Sequence, residues 1–144
     1  MKNRTITVSL SADREPVFAY LAELENLPRW APGVCRGLRA EGAYWRATSP
    51  AGEDYFALVA DERTGVIDVL IGEQPDEMAL LPLRVVGRPH GCAVIGTVFQ
   101  SANCADEIYE RCYAAVLGGL RGLVDRFDGG AVVSPTCVGQ SFYP

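Results

Sequence analysis

Ile6-Thr7-Val8-Ser9-Leu10-Ser11-Ala12-Asp13-Arg14-Glu15-Pro16-Val17-Phe18, running on to Asn26-Leu27-Pro28-Arg29-Trp30-Ala31-Pro32-Gly33-Val34, is the stretch that decides the fold. Thr5 to Leu10 alternates as a half-buried strand does, with Ile6, Val8 and Leu10 on one face. Ser11 or Asp13 is placed to cap the helix that follows. Pro16 falls in its first turn, where a missing N–H is tolerated. Val17, Phe18, Leu21 and Leu24 recur at helical spacing and predict its buried stripe. Pro28 sits just inside a second short helix, and Pro32-Gly33 ends it.

Beyond Gly33 the apolar period changes to two. The pattern predicts strands over 34–40, 43–48, 54–61, 66–71, 77–86 and 92–100. Turn chemistry separates them at Glu41-Gly42, Pro50-Ala51-Gly52, Thr64-Gly65, Gln74-Pro75-Asp76 and Arg88-Pro89-His90-Gly91. Connections this short favour hairpins, so an antiparallel meander is expected. Pro82 inside one run marks an edge or a bulge. The final pattern spans 103–127, with Asn103 as the expected N-cap and Asp106 and Glu107 in the first turn. Ile108, Cys112, Val116, Gly119, Leu120, Leu123 and Phe127 share one face, and Glu107, Glu110, Arg111, Arg121 and Asp125 share the other. At a rise of ~1.5 Å per residue such a helix reaches roughly 37 Å, enough to cross a whole sheet. Gly118, Gly119 and Gly122 interrupt it. They suit either close helix–sheet approach or room left for a ligand. Asp128-Gly129-Gly130 terminates the helix. Residues 1–128 are thus expected to form one domain and 129–144 a C-terminal tail, apolar enough to cover a cavity mouth or pack on a second copy of the chain.

Composition narrows the function classes. The chain has 144 residues, 49% hydrophobic, with a formal charge of −5. That size carries a core of its own. The acidic balance argues against nucleic acid, which needs a basic face. No run approaches the ~18 apolar residues of a membrane span, and the N-terminus enters a strand instead of a long apolar leader; a cytoplasmic location is the default expectation. Five cysteines without paired spacing read as free, mostly buried thiols. A single histidine, His90, and no Cys/His cluster leave no metal site to expect. The dinucleotide fingerprint, the phosphate loop and the Gly-x-Ser-x-Gly elbow are all absent, so no cofactor and no nucleophile are expected.

The order of elements, with the segments Tyr44-Trp45-Arg46, Gly65-Val66-Ile67-Asp68-Val69, Pro82-Leu83-Arg84-Val85-Val86 and Gly91-Cys92-Ala93-Val94-Ile95-Gly96-Thr97, resembles the START-like superfamily, also called SRPBCC, the polyketide cyclase/dehydrase and lipid-transport group. The likeness runs over about 5–127 and is nearest to a poorly characterised bacterial subgroup, in which a histidine often stands where this chain has Val69. The resemblance implies an α+β helix-grip fold. A curved antiparallel sheet of about seven strands wraps a long C-terminal helix, with two short helices after the first strand. It also implies a ligand cavity between helix and sheet, mostly apolar with a few polar groups.

Within that frame the expected ligand-binding residues are Trp45, Tyr55, Asp68, Arg84, His90, Cys112, Gly119 and Leu123. Asp68 interrupts an apolar strand, and Arg84 is its natural partner. The two either form an ordinary cross-strand pair outside the sheet or anchor a ligand carboxylate, phenolate or keto oxygen inside it. His90 is either a surface turn residue or a proton carrier at the cavity mouth. Trp45, Tyr44 and Tyr55 suit a planar ligand or simple core packing, and Trp30 reads as structural. Three functions fit. The first is binding of an apolar or aromatic small molecule. The second is a polyketide cyclase, aromatase or dehydratase that works by positioning and acid–base help. The third is a protein-interaction module, with a homodimer as one expected assembly.

Overall fold

The period-two stretches pair in sequence order, and the helical stretches cover one face of the sheet they form. The computed structural model describes residues 2–129. The elements are β1 (Asn3–Leu10), α1 (Arg14–Leu21), a short 3₁₀ turn (Leu24–Asn26), α2 (Leu27–Trp30), β2 (Arg36–Glu41), β3 (Tyr44–Ser49), β4 (Gly52–Asp61), β5 (Val66–Gln74), β6 (Glu77–Arg88), β7 (Gly91–Phe99) and α3 (Asp106–Phe127). The strands form one curved, seven-stranded antiparallel sheet in the order β1-β7-β6-β5-β4-β3-β2. Every connection from β2 to β7 is a hairpin. Only β1 is placed out of sequence, against β7, with Asn3 opposite Phe99 and Leu10 opposite Cys92. This is the α+β helix-grip architecture that the sequence predicts.

Pro82 lies in an interior strand, which at first contradicts its missing N–H. The register resolves this. β6 pairs with β5 through Pro82 opposite Asp68, but its pairing with β7 begins only at Leu83, opposite Gly96. The proline therefore stands where β6 parts from β7, at a local edge.

One face of the sheet is the core face. Ile6, Val8 and Leu10 of β1, Leu81, Leu83 and Val85 of β6, and Val94 and Val98 of β7 are all buried there with Phe56, Ile67 and Val69. Val17, Phe18, Leu21 and Leu24 are buried as the helical spacing predicts. α3 packs against β1, β7 and α2 and approaches β3–β5 only sparsely. Two glycines set that position. A Cβ on Gly96 of β7 would lie 2.8 Å from Leu83 Cδ2 and 3.3 Å from Leu120 Cδ1. A Cβ on Gly119 would lie 2.8 Å from the Trp30 carbonyl oxygen and 3.0 Å from the Trp30 ring. Arg4 joins β1 to α3 as well: its guanidinium lies 5.1 Å from the Tyr109 ring centre and 4.2 Å from that of Tyr113, and it pairs with Glu110.

One capping expectation holds in position only, and the other is corrected. Asp13 occupies the N-cap position of α1, but no side-chain cap bond forms. The turn is held from elsewhere. The Asp128 carboxylate accepts hydrogen bonds from Ser11 N–H at 3.0 and 3.1 Å and from Ala12 N–H at 3.3 Å. α3 starts at Asp106, with Ala105 and not Asn103 at its N-cap. The residues before it turn separately: Cys104 N–H donates to Ser101 O at 3.0 Å, and the Gln100 amide donates to Cys104 O and Asp106 Oδ1. The helix ends at Phe127 as expected. The tail beyond Gly129, with the roles expected of it, lies outside the described residues.

The three α3 glycines separate by test. A Cβ on Gly118 or Gly122 meets nothing within 4 Å. Gly118→Ala and Gly122→Ala should each stabilise by about 0.5–1 kcal/mol, the helix preference of alanine over glycine. Gly119→Ala should destabilise despite the same preference. Asp128→Ala should cost about 1–2 kcal/mol, since two backbone donors lose a charged acceptor at a partly exposed site. Urea unfolding of the four variants measures all of these.

Candidate functional site

Alternation decides which side chains face α3. Trp45 of β3, Phe56 of β4 and Ile71 of β5 stand side by side on the inner face, in register across the three strands. Leu58, Val69 and Leu81 form the next inner row. Phe56 and Val69 are fully enclosed, whereas Trp45, Leu58 and Ile71 are only partly buried and pack at the margin of the core. An apolar surface is thus presented by β3–β5, where α3 approaches least.

A polar pair sits on the same face. Asp54, only 4% exposed, lies opposite Ala47 and two residues from Phe56. The Ser49 hydroxyl donates to Asp54 Oδ2 at 2.5 Å and accepts from Ala51 N–H at 3.1 Å. A carboxylate so enclosed needs such partners. Asp54 was missing from the sequence-derived candidates. Extending the period of Phe56 and Leu58 backwards by one step would have found it. Tyr109, 1% exposed on the first half of α3, has a hydroxyl with no hydrogen-bond partner among the described residues.

On α3, Cys112 is partly buried and packs against the core. Its thiol is pushed up to about 11, first by burial, then by Cys104 and, with Arg111 opposing, by the charge of Asp54. At neutral pH it is a protonated, weakly polar group, not a nucleophile. Cys35 and Cys92 are buried more fully and lie at about 12 and about 11, both chiefly through desolvation. They form no disulfide, in line with the reading of free thiols.

The structure divides the sequence-derived candidates. Trp45, Cys112 and Leu123 lie on the enclosed side, with Leu123 fully buried in the core. Gly119 is occupied by its contact with Trp30 and Ala31, which accounts for the glycine by helix packing. Tyr55, Asp68 and Arg84 stand on the outer face, because each neighbours an inward residue in its strand. Tyr55 packs edge-on to Tyr44 at 5.7 Å and lies 4.3 Å from the Arg46 guanidinium. Asp68 and Arg84 are offset by two positions, and among the described residues no ion pair joins them. Arg84 instead donates to Thr64 O at 3.4 Å. His90 is exposed in the turn between β6 and β7. Two open grooves elsewhere are rimmed by charge, one along Asp106, Glu107, Glu110 and Arg111, the other by Arg29, Trp30, Gly122, Asp125 and Arg126. Among the described residues no group of acidic, cysteine or histidine side chains is placed to hold a metal, and no helix is long and apolar enough to cross a membrane.

The three raised thiol values give a pH dependence with a fixed sign. Folding favours the protonated thiol, so the stabilisation is complete below the ordinary value of 9.0 and is lost as pH rises toward 11–12. Unfolding free energy should fall above pH 9, and Cys112 should alkylate far more slowly in the native protein than in urea at pH 8. Equal rates in the two states would show that the thiol is not shielded.

The sequence matches no protein-family model and no curated protein. Solved structures do match. A START superfamily protein from Mycobacterium smegmatis superposes with a TM-score of 0.62 at 14% identity, over 88% of this chain and 97% of that one. The Zhui aromatase/cyclase from Streptomyces sp. R1128 gives 0.61 at 18%, over 92% and 99%. The protein XoxI from Bacillus cereus gives 0.67 at 16%, over 90% and 97%. Near-complete coverage of both chains in each case identifies the fold: this chain has the START-like helix-grip fold.

Proposed function

We propose that the protein binds an apolar or aromatic small molecule between α3 and the inner face of β3–β5. One observation carries this reading. α3 is seated on β1, β7 and α2, while the inner rows of β3–β5 leave Trp45, Leu58 and Ile71 partly uncovered beside a helix that approaches them only sparsely. Apolar surface in that position gains about 25 cal/mol per Å² when an apolar ligand covers it. Cys112, partly buried, supplies the helix side, and Asp54 with Ser49 supplies one polar point near the apolar rows. Such a lining orients a ligand through few polar contacts.

A second reading, a cyclase or dehydratase, draws support from the same pair. Asp54 is a buried carboxylate beside a hydroxyl, the type of group that takes a proton from an activated carbon. In that case a poly-ketone would be folded against the apolar rows and held near Asp54. The similarity to the aromatase/cyclase supports the fold on which such chemistry is known, and no more.

The test is native mass spectrometry of freshly purified protein, followed by titration with anilinonaphthalene sulfonate. The wild type should bind the probe in its folded state. Ile71→Trp, which adds bulk to the inner row, should weaken binding at least about tenfold, or roughly 1.4 kcal/mol. The thermal midpoint of the variant serves as the control for folding. A wild type that binds no probe, or a variant of undiminished affinity, contradicts the proposal.

A further inference from the structure

An antiparallel sheet with one face on the core ordinarily shows polar and charged residues on the other. The centre of the outer face of this sheet does not. Across its centre stand Val59 of β4, Leu70 of β5, Leu80 of β6 and Ile95 of β7. Val59 is 60% exposed and Leu80 44%. Leu70 lies directly opposite Leu80, and Ile95 opposite Arg84. Charge is confined to the margins of the face, with one exception. Asp68 and Arg84 stand in its middle, on adjacent strands and offset by two positions, without an ion pair between them. An apolar centre depleted of charge and framed by polar residues is the anatomy of an interface.

We propose that this outer face of β4–β7 is the contact surface for a second copy of the chain. The two central charges identify the occupant. A two-fold axis that lies between the faces, and passes midway between Asp68 and Arg84, sets Asp68 of each copy over Arg84 of the other. Each copy then supplies one acid and one base, the self-complementarity that an isologous interface requires. The apolar side chains around them exclude water from both pairs and leave each charge dependent on its partner. The central region is about 19 Å across four strands and about 17 Å along them, roughly 320 Å² in projection. That is below the size of a stable interface, so the dimer is weak and transient and forms only at high protein concentration. This surface is on the opposite side of the sheet from the proposed ligand site, and neither reading rests on the other.

Sedimentation velocity of the full chain, from micromolar to near-millimolar concentration, tests the proposal. The wild type should move from monomer to dimer. Leu80→Glu and Arg84→Asp should each abolish the dimer, and circular dichroism should confirm that both fold. The exchange of both charges, Asp68→Arg with Arg84→Asp, should restore it. The restoration distinguishes a charge pair from mere loss of apolar surface. A wild type that stays monomeric overturns the proposal, as would be the case if another segment of the chain covered the face. So does a dimer that survives Leu80→Glu, or one that truncation after Gly129 removes while Leu80→Glu does not.

Discussion

The seat of α3 is the constraint on which the rest of the structure depends. The helix approaches its neighbours most closely where two glycines permit it. Gly96 lets Leu83 and Leu120 close over β7, and Gly119 lets α2 press its Trp30 backbone against the helix. Any larger side chain at Gly119 would meet a carbonyl oxygen, which cannot rotate away. α3 is thereby held on β1 and β7, the half of the sheet nearest the chain ends in sequence. Arg4, stacked on Tyr109 and Tyr113, ties the first half of the helix, and Asp128 ties its end to the turn before α1. The other half of the sheet, β3–β5, has no comparable tie to the helix. The asymmetry between a tightly held half and a loosely approached half is the physical basis for the proposed ligand site.

Much of this was legible in the sequence, because period is a strong signal. Ile6, Val8 and Leu10 alternate, Val17, Phe18 and Leu21 recur at helical spacing, and all six are buried. The glycine and proline turns fixed the hairpins to within a few residues. What failed was local chemistry with more than one solution. Asn103 is a sound N-cap by residue type, but Gln100 reaches across to Cys104 and Asp106 and organises that turn differently. Asp13 is equally sound and does stand at the N-cap, but the N3 residue is Pro16, which has no N–H to donate, and the turn before the helix is held by Asp128, more than a hundred positions away. No local pattern shows a contact of that length.

The site was less legible than the fold, for a related reason. Asp68, Arg84 and Tyr55 drew notice because they are polar or aromatic residues among apolar neighbours. Such a residue in a strand is conspicuous because it breaks the run, and in β5 and β6 the break is the outward position. The polar residue that faces inward, Asp54, was hidden in a polar stretch, Gly52-Glu53-Asp54, beside a turn. The same alternation that hid it explains the outer face. Once Asp68 and Arg84 are outside, they are two charges in the middle of a surface whose other charges lie at its margins, and their meaning shifts from ligand to partner.

The central claim is that apolar ligands enter between α3 and β3–β5. The most direct measurement is a set of isotope-filtered nuclear Overhauser contacts between an unlabelled apolar probe and labelled protein. The account predicts contacts to the Trp45 indole, the Ile71 and Leu58 methyl groups and Cys112. Contacts confined to Val59, Leu70 or Leu80 on the outer face, or to the charged groove at Arg29 and Arg126, would contradict it.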